Sequence, residues 1–304
     1  MNSRTPTIAE TITDILAALQ EYIEATYHVG NASIVAQRKR ILNEPGVIYR
    51  EPYFESTPRY QTGLNFGDLN LHPAAKDLLT ALSHMEDGKP RLLFDPPYTH
   101  QANALEFVAT EGLSAAITTG TGSGKTESFL LPILAKLAVE AASRPEAFAF
   151  HATRALVLYP MNALVNDQLG RMRLLLGDPR LVNQFISVAG RPVRFARYTS
   201  RTLYPGVRTA KKDQTRLGSI DKFYLELISQ SENHEEARAL RQQLEARGKW
   251  PAKPDLREWF GPKGSRWQDK NGEFKRAITQ PGDSELLTRH EVLAAPPDVL
   301  ITNY

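Results

Sequence analysis

One short stretch limits what this chain can fold into more than any other. Residues 118–127 read TTGTGSGKTE, with the apolar run SAAITT (114–119) leading in and ESFLLPILAKLAVEAA running out of it. A strand, a glycine-rich turn and a helix N-terminus in that order make a cradle for phosphate. Gly122 and Gly124 let backbone N–H groups approach a phosphate closely, and the helix start adds the positive end of its dipole. Lys125 is placed to reach the β- and γ-phosphates, and the Thr126 hydroxyl to bind Mg²⁺. The strict pattern G-x-x-x-x-G-K-[ST] asks for glycine at its first position, where this chain has Thr119.

The surrounding grammar agrees with a parallel α/β sheet. From about residue 91, short apolar runs alternate with helical ones. ALVLYP (155–160), PVRFARYT and PDVLITN (297–303) read as buried strands, as does SAAITT. The run after the glycines is a helix containing Pro132, and NALVNDQLGRMRLLLG is an amphipathic helix ending at Gly177. Residues 1–90 read as a mostly helical leader. IAETITDILAALQEYIEATY has apolar residues at helical spacing, NASIVAQRKRILNE repeats the pattern with Asn31 or Ser33 as cap, and HPAAKDLLTALSHM adds a short helix. GVIYREPYFESTPRY, rich in proline and aromatics, is expected to run extended. A polar stretch at about 200–290 reads as an insertion in the sheet domain, which spans 91–304.

The net charge of +3 hides an asymmetry. Arg191 to Gln280 holds 20 Lys+Arg against 11 Asp+Glu, leaving 17 against 23 elsewhere. Such a local excess suits a polyanion, because neutralising phosphates releases counterions. A solvated insertion with idle charges is the plainer reading of the same composition. No apolar run approaches a membrane span, no export signal is evident at the start, and the absence of cysteine fits the cytosol.

With the cradle in place, three further segments fall into the order of one family. YTHQANAL puts Gln101 upstream of the loop and resembles the Q-motif of superfamily 2 helicases of the DEAD/DEAH type. TGTGSGKTESFLLPIL resembles their motif I. LVLYPMNALVNDQ resembles motif Ia at Pro160, Ala163, Leu164, Asp167 and Gln168, and PPDVLITNY resembles the strand ending in a phosphate-contacting Thr-Asn, here Thr302 and Asn303. Where relatives often show Tyr-x-Gly-Asp, this chain has RYTSRT (197–202). The leader is similar to the front end of large bacterial helicases of anti-phage and DNA-repair loci, that of the DISARM system being one example.

The resemblance implies a P-loop NTPase fold: an incomplete first RecA-like lobe with a parallel sheet behind a helical leader. It implies ATP and Mg²⁺ as cofactors, held by Gln101, Thr121, Gly122, Ser123, Gly124, Lys125, Thr126 and Glu127, with Thr126 toward the metal. It also implies nucleic acid, DNA in preference to RNA, at Pro160, Asn162, Ala163, Gln168, Arg194, Arg197, Arg201, Thr302 and Asn303. The family's Asp-Glu pair and second lobe are expected beyond Tyr304, so nucleotide binding with weak or no turnover is the expectation for these residues, with a second polypeptide as one source of the remainder. An unpaired sheet edge near Tyr304 follows from the same expectation. Two other readings stay open: another P-loop NTPase such as a kinase, and a non-enzymatic DNA-binding or assembly module with a vestigial nucleotide site.

Overall fold

The computed structural model describes residues 5–50, 59–85, 90–120, 122–204, 206–261 and 265–304. The chain divides into two compact units, Met1–Arg59 and Tyr60–Tyr304. In the first, α1 (Ile8–Thr26) opens with a capping box between Thr7 and Glu10, and α2 (Ala32–Leu42) is capped by the Asn31 side chain. Gln20 Nε2 donates to the Leu42 carbonyl and holds the pair together. Neither helix buries a residue, and Ile8, Ile15 and Tyr22 stand exposed. Most of the segment expected to run extended, 51–58, lies outside the described residues.

In the second unit, α3 (Pro73–Ser83), α4 (Thr99–Ala109) and α5 (Lys125–Ser143) share one core. α3 buries Leu78, Leu79 and Leu82, spaced one to four residues apart on one helical face, against Leu130, Leu131, Leu134 and Leu137 of α5. Pro132 lies inside α5 and is buried. A short α6 (Pro145–Ala149) places Phe148 under the sheet.

The sheet comprises β1 (Ala155–Tyr159), β2 (Phe195–Tyr198), β3 (Glu285–Leu286) and β4 (Val299–Asn303), all parallel, in the order β1-β4-β2-β3. Between β1 and β2 run α7 (Asn162–Leu176), which ends at Gly177 as expected, and α8 (Pro179–Ala189). Three of the expected strands are present. The fourth is not: residues 114–119 carry no strand, and β1 pairs only with β4 among the described residues. A strand is defined by its neighbour's hydrogen bonds, and Leu156 and Leu158 of β1 remain 55% exposed. Among the described residues the edge strands are therefore β1 and β3. The strand ending near Tyr304 is flanked on both sides, which corrects the expectation of an edge there.

Between β2 and β3 the chain builds α9 (Ala210–Asn233), α10 (Glu235–Ala246) and α11 (Leu256–Phe260) around a separate core with Trp250, Trp259 and Trp267. α12 (Arg289–Ala294) then leads to β4. Lys253 is fully buried between Asp283 and Glu291, and Glu291 also accepts from Trp259 Nε1, Thr279 and Thr288. Burial alone pushes the Glu291 carboxyl up, but Lys253 and those hydrogen bonds bring it below the ordinary value.

α7 is fastened to β3 and to this core. Arg173 makes a bidentate pair with Glu285 of β3, at 2.8 Å and 2.7 Å, and donates to the Gly248 carbonyl at 3.3 Å, while Gly248 lies against the backbone of Gly170. Gly248 has a φ of +61°, and a Cβ there would collide with the Gly170 carbonyl. Gly248→Ala is accordingly expected to cost about 2–3 kcal/mol through strain and overpacking. The midpoint of urea unfolding checks this, and an unshifted midpoint would mean the two backbones are not in contact.

Candidate functional site

The phosphate loop is shaped by two glycines in the left-handed region, Gly122 at φ +75° and Gly124 at +72°, the latter capping α5. Thr121 lies outside the described residues. A Cβ on Gly124 would run into the Gln101 amide, so glycine is required there for space as well as for φ. Lys125 is exposed and curls back, its Nζ donating to the carbonyls of Thr119 at 2.6 Å and Gly120 at 2.8 Å. Thr119 and Ser123 hydroxyls share a hydrogen bond of 2.6 Å. Thr119 thus braces the loop from the position where the strict pattern has glycine.

Gln101 sits at the start of α4 and is 5% exposed. Its Oε1 accepts from the Tyr98 N–H at 2.9 Å and its Nε2 donates to the Gly124 carbonyl at 2.9 Å. It is therefore no surface residue: it ties α4 to the loop. Next to it, His100 Nε2 donates to the Ser123 carbonyl at 2.9 Å. The rings of Tyr60, Tyr98 and His100 gather beside the loop at 5.5–5.8 Å between centroids. A cavity of about 340 Å³ opens here, lined by Phe94, Pro96, Tyr98, Gln101, Gly122 and Gly124. Sequence reasoning missed Tyr60 and His100. The adjacency of His100 to Gln101 was the available signal for one, and nothing local marked the other.

A second group of residues meets where the strands end. The register sets Tyr159 beside Asn303 and Tyr198 beside Thr302, so Pro160, Asn162, Ala163, Thr302 and Asn303 share the carboxyl end of the sheet. In open α/β sheets this is the end where ligands bind. Thr302 Oγ1 donates to the Tyr198 carbonyl at 2.5 Å. Arg197 donates to Asn166 Oδ1 at 2.5 Å and to the Arg201 carbonyl at 3.2 Å, and Arg201 is exposed. Burial, with Arg173 nearby, lowers the Arg197 pKa from its ordinary value.

Two expected members do not belong to this group. Arg194 is 7% exposed and precedes β2, at the other end of the sheet, where it faces His151 and the carbonyl of Gln280. Burial and the adjacent Arg191 lower its pKa, which marks a charge held in the interior. Gln168 is also buried, in the same stripe of α7 as Val165, Leu169 and Met172.

A contact ties the loop side to α7, whose first residues belong to the strand-end group. Glu127, in the first turn of α5, pairs with Arg171 of α7. Among the described residues no cluster of His, Asp and Glu suited to hold a metal ion by itself is present.

Residues 98–199 match the family model described as DEAD/DEAH box helicase. The chain is 40% identical over 311 residues, covering 98% of its own length, to Druantia protein DruE of Escherichia coli (strain UMEA 4076-1). It spans about 16% of the length of that curated relative. No solved structure matches. The match over residues 98–199 implies a RecA-like P-loop fold for that segment, and the parallel sheet with helices on it agrees.

Proposed function

From the premise that this chain carries a DEAD/DEAH box helicase segment, we propose that it is the ATP-binding part of a nucleic-acid-dependent helicase or translocase, acting on DNA. The observation that carries the reading is the loop itself. Gly122 and Gly124, both at positive φ, turn the chain into the start of α5, with the Gln101 amide packed where a Gly124 side chain would stand and the Lys125 ammonium a few ångströms from two loop carbonyls. These groups fit a triphosphate. Backbone N–H groups of the loop and Lys125 would hold it, the Thr126 hydroxyl would face Mg²⁺ carried with it, and Gln101, beside the small cavity, would meet the base on giving up its Tyr98 and Gly124 partners. Bound Mg²⁺·ATP supplies the phosphoryl bond whose cleavage drives such motors. For Lys125 to engage phosphate it gives up the two carbonyls, an exchange of neutral acceptors for charged ones.

Turnover by these residues alone is proposed to be weak or absent. Among the acids close to the loop, Glu127 is engaged with Arg171. Steady-state hydrolysis at the pace of complete motors, lost in Lys125→Ala, would contradict this. We further propose a helical leader ahead of the lobe, a second polypeptide as the source of the remaining motor, a cytoplasmic setting, and a role in anti-phage defence. Similarity to Druantia protein DruE supports the last. No helix among the described residues is long and apolar enough to cross a membrane.

Nucleic acid is proposed to lie on the strand-end group, with Arg201 as an exposed phosphate contact. Binding of a labelled DNA strand should then weaken steeply with salt, and Arg201→Ala should reduce affinity uniformly across sequences and flatten the slope by about one. An unchanged slope removes Arg201 from the interface.

A further inference from the structure

α7 touches both groups of site residues, and the manner of its contact with the phosphate loop is unusual. Glu127 Oε2 packs beside Gly124 and the Gln101 amide, within 3.2 Å of where a Gly124 Cβ would stand, while the same carboxylate pairs with Arg171. The two side chains remain 20% and 37% exposed, so the pair adds little to stability. The junction is also unfinished. Arg171 Nε is buried with no hydrogen-bond partner, and so is Gln168 Oε1, one turn earlier on the same helix. A junction built for stability alone would satisfy such atoms.

The rest of α7 reaches the other group. Its first residues, Asn162 and Ala163, lie at the strand ends, and Asn166 accepts from Arg197. Farther along, Arg173 and Gly170 meet Gly248 of the inserted core. A displacement of α7 at Arg171 would therefore be felt at Asn162 and Arg197.

Resting on the function proposed above, we infer that the Glu127–Arg171 pair is a positioning contact that couples nucleotide in the loop to nucleic acid at the strand ends. When phosphate fills the loop, the Glu127 carboxylate lies next to the new charge and its hold on Arg171 changes. α7 carries that change to Asn162 and Arg197. Coupling of this kind is reciprocal, so it can be read from either ligand.

The experiment titrates the full chain with a fluorescent ATP analogue and Mg²⁺, with and without saturating single-stranded oligothymidylate. The wild type is expected to change its Kd for the analogue about fivefold between the two conditions. Arg171→Gln should bind the analogue alone within about twofold of wild type, melt at the same temperature, and show a ratio near one. Arg171→Lys, which keeps the charge, should regain part of the ratio, a rescue that packing alone would not give. If Arg171→Gln does not fold, Arg171→Met, which keeps an apolar stem, takes its place. A Gln or Met protein with the full wild-type ratio overturns the inference. So does a wild type that binds both ligands without coupling, in which case the proposed function stands. A wild type that does not bind the analogue removes the proposed function and the inference with it.

Discussion

Asp298→Ala is expected to be the most damaging single substitution in the sheet domain, at about 3–5 kcal/mol. The carboxylate is 1% exposed and accepts from Arg154 at 2.7 Å, from two nitrogens of Arg191 at 2.7 Å and 2.8 Å, and from the Arg194 N–H at 2.8 Å. It thereby ties the starts of β1, β2 and β4 together. The Arg154 and Arg191 guanidiniums also lie over the Phe148 ring, at 4.6 Å and 4.5 Å. Removing this anion leaves Arg191 in the interior without its carboxylate and Arg154 with Glu140 alone, and that, more than the lost bonds, sets the cost. Domains of ordinary stability have about 5–15 kcal/mol in total, so much of the protein would be unfolded at modest denaturant. Urea unfolding followed by circular dichroism checks this. A loss below about 1 kcal/mol would mean that the arginines find water or other partners.

Lys125→Ala should do the opposite: leave the fold alone and remove nucleotide binding. Lys125 is exposed, and its described bonds are to two backbone carbonyls of its own loop. Its removal uncovers no buried charge, so the melting temperature should not move. Loss of a charged hydrogen-bonding partner to phosphate costs about 2–3 kcal/mol, which is roughly 30- to 150-fold in affinity. The two substitutions thus separate stability from binding within one sheet domain. A destabilised Lys125→Ala protein would place the lysine in the structure and not in the site.

Much of this was legible in the residues because local rules decide it. The cradle needs glycines, lysine and a helix start in sequence, and all are contiguous. α7 and its stop at Gly177 follow from apolar spacing and a C-terminal glycine, and β1 and β4 from their apolar runs. The run 114–119 also reads as a strand but carries none, because pairing depends on what stands beside it. Arg194 and Arg197 looked alike in a basic stretch. Three residues apart along an extended chain, they face opposite sides and approach opposite ends of a short strand. The Arg197 side chain reaches the strand-end surface, and that of Arg194 meets His151 and the Gln280 carbonyl at the other end. The Glu127–Arg171 pair joins residues far apart in sequence, and no local pattern announces it.

The measurement that tests the central claim most directly is a titration of the chain and of Lys125→Ala with a fluorescent ATP analogue in Mg²⁺. The proposed function predicts saturable binding by the wild type, competed by ATP, and at least about thirtyfold weaker binding by the variant at equal thermal stability. Equal affinity of the two proteins, or no binding by either while both are folded, would contradict a nucleotide site at residues 120–127.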